Sequence, residues 1–382
     1  MGLGCVRLKL KSVLKFPKGS MDITFFLFTL ALLGMGLIML FSSSYAYALY
    51  YYGDSYLFIK NQLVFALMGV AAMIAISYID YHILHHFALI VYIGVIALLV
   101  LALFSPAIKG THRWIILFGV QFQPSEIAKF GIVLILSHII AHNSAHMGKF
   151  TRGFALCFAF LGPVVVLVFL AKHLSGTILI TLLGAVIMFI GGVKLRWFVL
   201  FGSAGGALAV AYIALTNKMS YAIERIQIWL DPTIDPTDSG HQILQSLYAI
   251  GSGGLLGQGL GNSRQKYLYV PEPQNDFIFS IICEELGFVG ATLIIVLFAL
   301  FVWRGFVIAM RARDKFGCML AMGLTTQIGV QAILNIAVVT GTIPNTGISL
   351  PFFSYGGSSL VMLLCQMGVV LSVSRYSVLE KT

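Results

Sequence analysis

The sequence predicts an all-α polytopic membrane protein of about ten transmembrane helices, with both termini cytoplasmic and one large extracytoplasmic loop between helices 7 and 8. Three observations predict it. Of 382 residues, 59% are hydrophobic and only 10% charged, with mean hydropathy +0.95, too little charge to cover a soluble domain of this length. The apolar runs reach twenty residues or more without the period-two alternation of barrel strands, and only helices and closed barrels satisfy the backbone in lipid. The basic residues behind the net charge of +10 lie in short loops between these runs, where they set topology and meet anionic headgroups; a nucleic-acid partner is not expected.

Taken in order, the chain opens with a basic segment, 1–22, carrying Arg7, Lys9, Lys11, Lys15 and Lys18. The apolar run that follows is too long for a signal-peptide core and has no clear cleavage site, so it is expected to remain as the first anchor. Spans are predicted at about 23–49, 62–79, 87–108, 127–141, 153–171, 175–193, 197–216, 277–303, 317–341 and 357–374. The short fourth span is opened by Pro124 and Ser125 and closed by His142 and Asn143. A cytoplasmic N-terminus places the larger share of the 24 Lys and Arg inside, including Arg304, Arg311, Arg313 and Lys315. Cys5, Cys157, Cys283, Cys318 and Cys365 have no ligand or disulfide spacing and read as small membrane hydrophobes. The whole of 1–382 reads as one membrane domain, and residues 217–276 are its large outer loop. That loop joins an amphipathic stretch, Tyr221 to Leu230, to a turn-rich stretch from Asp231 and a glycine-rich one, Gly251 to Gly261.

Three clusters could carry chemistry. Asp276 ends Val270-Pro-Glu-Pro-Gln-Asn-Asp276, directly before the eighth span. It can cap that helix, or act as a general base at the membrane surface, or both. Glu284 and Glu285 lie roughly 12 Å deeper at the α-helical rise. Charge at that depth needs a cavity or a partner, so they are either functional or an interhelical clasp. The second cluster is Arg113-Trp114 with Gln123-Pro-Ser-Glu126 and Lys129. Glu126 and Lys129 share a helical face and can neutralise each other, and Arg113 can clamp phosphate or reach headgroups. The third runs from Pro344 to Ser359, too rich in Gly and Pro for a regular helix, and such backbone at membrane depth must line a cavity or be buried in protein. No phosphate-binding loop, zinc spacing or nucleophile elbow occurs, so no nucleotide is expected.

These clusters resemble the SEDS family (shape, elongation, division and sporulation), the polytopic peptidoglycan polymerases typified by FtsW and RodA, and the resemblance runs over almost the whole chain. It rests on Arg113-Trp114, Gln123-Pro-Ser-Glu126-x-x-Lys129, Gly259-x-Gly261, Pro271-Glu-Pro-Gln-Asn-Asp276-Phe-Ile-Phe, Glu284-Glu-Leu-Gly287 and Leu350-Pro-Phe-Phe-Ser-Tyr-Gly-Gly-Ser358. Arg264-Gln-Lys-Tyr and Pro271-Glu-Pro look like the FtsW and SpoVE branch rather than RodA. Two departures stand out: Asn275 where the family often has Thr, and His173 where it often has Asp.

The resemblance implies polymerisation of lipid II, a disaccharide-pentapeptide on undecaprenyl pyrophosphate, at the outer face of the membrane, for division or sporulation. Asp276 would be the general base, with Arg113, Trp114, Glu126, Lys129, Arg264, Lys266, Glu285, Ser354 and Tyr355 binding substrate. A divalent cation such as Mg²⁺ would offset the charge of the leaving group. Implied partners are a class B penicillin-binding protein transpeptidase, the divisome proteins and the membrane itself. The sequence leaves open three rivals: a flippase for the same lipid, an elongation-type RodA polymerase, and a scaffold.

Overall fold

The computed structural model describes residues 19–105, 114–117, 120–215, 227–234 and 240–376. Among them a helix lies over each predicted span. These are α1 (Ile23–Tyr52), α2 (Leu57–Ser77), α3 (His82–Leu103), α4 (Pro124–His142), α5 (Leu156–Leu170), α6 (Leu174–Ile190), α7 (Leu195–Leu215), α9 (Ile278–Met310), α10 (Lys315–Val339) and α11 (Gly357–Arg375). Eight of these stretches are long and apolar enough to cross a membrane, α5 counting with the wider turn Phe150–Ala155 before it. Helix α6 is a shorter apolar helix of 17 residues. Two elements were not foreseen. A two-stranded antiparallel hairpin, β1 (Ile115–Leu117) with β2 (Val120–Phe122), precedes α4, and an amphipathic helix, α8 (His241–Gly253), fills part of the large loop.

Helices α4, α10 and α11 are the most buried of the bundle, while α2, α3 and α9 leave most of their surface outward. The sequence explains the difference. The middle of helix α4 is apolar all round, with Ile132, Val133, Leu134, Ile135 and Leu136 all buried, as a central helix must be.

Both described ends of the chain meet at one end of the bundle. Asp22 caps α1 by accepting from Phe25 N, pairs with Arg304 at 2.7 Å, and its own N–H donates to Ser374 Oγ. Asp314 caps α10 at that end and accepts from Tyr81 Oη. Burial works to raise the Asp314 pKa, but hydrogen bonds from His82, Tyr81 and the Gly317 N–H outweigh it and hold it well below the usual carboxylate range.

The glycine-rich stretch has a specific task. Helix α9 breaks at Gly287 (φ 67°), which frees the carbonyls of Glu284 and Glu285 and the N–H groups of Phe288 and Val289. The loop after α8 takes them all: Gln258 N and Gly259 N donate to Glu284 O and Glu285 O, while Phe288 N and Val289 N donate to Gly254 O and Leu255 O. A broken helix in hydrocarbon is tolerable only when its main chain is paired in this way. Gly257 (φ 78°) and Gly287 lie against each other, and a Cβ on either would overlap the other's backbone. Helix α8 is held by Ser246 Oγ on Val339 O and by Gly253 against the main chain of Cys283 and Glu284. The large loop is therefore folded onto α9 and α10; its residues 217–226 and 235–239 lie outside the described residues.

Gly287→Ala is expected to lower the thermal unfolding midpoint of the detergent-solubilised protein, since backbone strain alone costs about 1–3 kcal/mol there. Gly34→Ala on α1, where a Cβ meets nothing, should leave the midpoint unchanged or raise it slightly.

Candidate functional site

At the end of the bundle opposite Asp22 and Arg304 lies a cavity of about 760 Å³. Its walls come from the ends of α1, α2, α4 and α6, from residues 272–276, from α10, and from the chain between α10 and α11. Its lining carries the aromatic side chains Tyr47, Tyr52, Phe58, Phe65, Trp114 and Tyr355 together with the polar ones Gln123, Glu126, Lys129, His173, Glu272 and Asp276. Aromatic faces beside hydrogen-bonding groups suit a ligand with both apolar and polyhydroxyl surface.

Asp276 is half-buried on this wall, one residue before Phe277, the cap position of α9. Phe277 makes no side-chain cap hydrogen bond, and Asp276 stands just outside the helix. The segment leading to it is a tight turn in which Glu272 adopts φ 45°, with Asn275 N on Glu272 O and Asn275 Nδ2 on Glu272 Oε2 at 2.9 Å. Three consecutive carbonyls are then pinned from outside the turn. Tyr355 N donates to Gln274 O, Ser354 Oγ to Asn275 O at 2.6 Å, and Asn335 Nδ2 to Asp276 O at 2.7 Å. The carboxylate faces Gly347 (φ 66°), where a Cβ would stand 3.1 Å from Asp276 Oδ2 and 3.9 Å from Ser175 Oγ. Asp276 therefore sits close to the first turn of α6.

Deeper in the cavity, Lys129 pairs with Glu126 at 2.9 Å and donates to Gln331 Oε1 at 3.0 Å; it is 3% exposed. Gln331 Nε2 in turn reaches Ser349 O. His173 lines the cavity with its ring 3.4 Å from Gln123 Nε2, and Gly176 leaves room for the imidazole. The described charged groups on the lining are three carboxylates, Glu126, Glu272 and Asp276, and one ammonium, Lys129.

Of the residues singled out from sequence, the structure brings Trp114, Glu126, Lys129, Asp276, Ser354 and Tyr355 onto one cavity. Arg113 lies outside the described residues. Lys266 and Glu285 are not on the lining. They form a buried ion pair at 3.0 Å, 3% and 0% exposed, to which Ser42 of α1 adds hydrogen bonds to both Glu285 oxygens. Beside it the buried Glu284 accepts from Ser263 Oγ and from Arg264 N at 2.9 Å. Arg264 itself is exposed and does not reach the cavity. Of the two readings the sequence left open for Glu284 and Glu285, the geometry is that of a clasp tying the outer loop to α1 and α9. Gln331, Asn335 and Ser175 are not among the residues the sequence singles out, and Glu272 is there only as part of Pro271-Glu-Pro. Gln331 and Asn335 do carry a signal: with Gln327, they recur every fourth residue on a largely apolar helix.

Comparison with known proteins agrees over the whole bundle. The sequence model of the cell cycle protein family FTSW_RODA_SPOVE matches residues 23–379. Stage V sporulation protein E of Bacillus subtilis (strain 168) is 42% identical over 94% of this chain and 98% of its own length. "Probable peptidoglycan glycosyltransferase FtsW" of Geobacter sp. (strain M18) is 40% identical over 89% of this chain and 92% of its own. Among solved structures, a chain from work on coordination of polymerization and crosslinking by a peptidoglycan synthase complex superposes with TM-score 0.77 at 28% identity, covering 93% of this chain and 98% of that one. Rod shape determining protein RodA of Thermus thermophilus gives TM-score 0.69 at 26% identity over 94% and 98%.

The clasp makes a prediction distinct from a substrate-binding role. Glu285→Ala should destabilise the protein by about 3–5 kcal/mol, because it leaves the Lys266 ammonium buried without its partner. Replacing both Lys266 and Glu285 by Met should recover much of that stability, read as the thermal midpoint, together with activity per folded molecule.

Proposed function

This chain belongs to the FtsW, RodA and SpoVE family of cell cycle proteins, and on that premise we propose that Asp276 is the general base of its peptidoglycan glycosyltransferase reaction, in which lipid II is polymerised at the outer face of the bacterial inner membrane. The observation that carries this reading is the placing of Asp276, a carboxylate half-buried at the mouth of α9 on a cavity whose walls are part aromatic and part polar. The excess of Lys and Arg in the loops at the opposite end puts this mouth outside.

In the step itself the ionised carboxylate accepts the proton of the acceptor sugar's 4-hydroxyl as that oxygen attacks the anomeric carbon of the donor. The bond from that carbon to the diphosphate breaks, the electron pair leaves with undecaprenyl pyrophosphate, and the centre inverts. The lipid tail explains why a sugar-transferring protein needs a membrane bundle at all.

The lining charges bear on how a diphosphate is accommodated. Three carboxylates and one ammonium leave the described lining negative, which opposes an anionic headgroup. A divalent cation such as Mg²⁺ fits this imbalance. Among the described residues no three carboxylate, His or Cys side chains converge to hold one, so Asp276 or Glu272 would contribute together with phosphate oxygens, as Mg²⁺ commonly requires. Such an ion supplies charge neutralisation at the departing diphosphate. Arg113, outside the described residues, is a second candidate for that duty.

Two features support a division or sporulation assignment over elongation: the 42% and 40% matches to a sporulation protein and an FtsW, and the Pro271-Glu-Pro pattern. A class B penicillin-binding protein is the partner this reading implies, in keeping with the peptidoglycan synthase complex whose chain shares the fold.

Purified protein supplied with lipid II and its partner should make glycan strands, and Asp276→Asn should make none while melting normally. Equal polymerisation by both proteins would remove Asp276 from the mechanism; movement of labelled lipid across liposomes without polymerisation would favour the transporter. Chelation by EDTA should depress the wild-type rate at least tenfold, with Mg²⁺ restoring it. A rate indifferent to EDTA would leave cationic side chains such as Arg113 and Lys129 to supply the counter-charge.

A further inference from the structure

The polar residues of α10 are arranged as a ladder facing the site. Asn335, 0% exposed, donates one amide proton to Asp276 O at 2.7 Å and the other to Ile348 O at 2.6 Å. One helical turn away, Gln331 accepts from Lys129 Nζ and donates to Ser349 O. A turn further, Gln327 donates to Gln366 of α11 at 3.0 Å. One face of one helix therefore holds the main chain of the proposed base, the ammonium of the cavity's ion pair, and two successive carbonyls of the irregular segment before α11.

A bond to a main-chain carbonyl does not touch the carboxylate's chemistry. It fixes where the Cα of residue 276 sits, and the Ser354 and Tyr355 bonds to the two preceding carbonyls leave the carboxylate only its side-chain torsions. Gly347 faces the carboxylate, and a Cβ there would stand 3.1 Å from Asp276 Oδ2. Proton transfer depends steeply on such placing, because a displacement of about 1 Å at a reacting group can cost on the order of a hundredfold in rate. Asn suits this position for a plain reason. Its amide is the shortest side chain that presents two N–H donors in one plane, and two buried carbonyls face it. Removing it takes the side-chain donor away from both carbonyls, and the Ile348 contact is fully buried.

We propose that Asn335 is a positioning residue for the glycosyl transfer, aiming Asp276 at the acceptor hydroxyl through the main-chain carbonyl of residue 276, with Gln331 setting Lys129 at a fixed distance along the same helix. The proposal rests on the assignment of Asp276 as the base. Asn335 touches neither sugar nor diphosphate, so its effect falls on the rate of the chemical step and not on the capture of substrate.

The test compares Asn335→Ala and Asn335→Asp with wild type, using purified protein with its partner, lipid II as substrate, and thermal midpoints measured alongside. Asn335→Ala should lower kcat at least tenfold while KM for lipid II stays within about threefold. Asn335→Asp keeps the shape but, when ionised, turns two oxygens toward two carbonyl oxygens. Protonated, it regains one donor, so its rate relative to wild type should rise at least threefold from pH 8 to pH 6. A merely structural residue would not produce that reversal. If Asn335→Ala does not fold, Asn335→Ser, which retains one donor, must show the same split of kcat from KM. Wild-type kcat in the Ala or Ser variant, or a loss that lies wholly in KM, overturns the proposal. Should Asp276→Asn polymerise normally, the assignment of the base fails first; should Asp276→Asn be inactive and Asn335→Ala fully active, only the positioning role is lost.

Discussion

Hydrocarbon offers no hydrogen-bond partner, so wherever this chain leaves the α-helix at membrane depth, protein must supply every donor and acceptor that the helix no longer does. Two such departures shape the molecule. At Gly287 the break in α9 exposes two carbonyls and two N–H groups, and the glycine loop at residues 254–259 pairs with all four. Between α10 and α11 the irregular segment is paired with the turn before α9 and with Asn335 and Gln331. At the first break main chain lies against main chain, at Gly257 and Gly287; at the second, Gly347 faces the side chains of Asp276 and Ser175; all three glycines have positive φ. The second of these segments, together with the turn at 272–276, lines the cavity.

Charge is managed under the same constraint. The ammoniums of Lys129 and Lys266 are each almost fully buried, and each meets a carboxylate within 3.0 Å and a further oxygen acceptor. An isolated buried charge would cost several kcal/mol, so these groups persist as hydrogen-bonded pairs. The pairs have different surroundings, however. Lys129 and Glu126 open onto the cavity, whereas Lys266 and Glu285 are sealed between the outer loop, α1 and α9. The first can respond to a ligand and the second holds the loop in place.

Much of the architecture was legible because a span announces itself through composition over about twenty residues: a helix lies over each predicted span, and eight of the stretches are long and apolar enough to cross a membrane. Asp276 was legible as the last residue of a turn-rich stretch before a span. The cap reading and the catalytic reading were both open in the sequence. The structure puts Phe277 at the cap position and Asp276 on the cavity wall. For Glu285 the charge near a span signals either a cavity or a partner, and the sequence does not show that Lys266 and Ser42, the latter 243 residues away, are its partners. The hairpin before α4 has strands of three residues, too short for a periodic signal. The grip of Asn335 on residue 276 is a contact between a side chain and a main-chain atom 59 positions away, and only its polar character within an apolar helix hinted at it.

If the acceptor hydroxyl meets Asp276 inside this cavity, a structure of the Asp276→Asn variant with bound lipid II should show the two sugars among the aromatic side chains of the lining, with the acceptor 4-hydroxyl within about 3.2 Å of the residue 276 side chain, a normal hydrogen-bond distance. Sugars bound outside the cavity, or a 4-hydroxyl that faces Glu126 or Glu272 while residue 276 touches nothing, would contradict it.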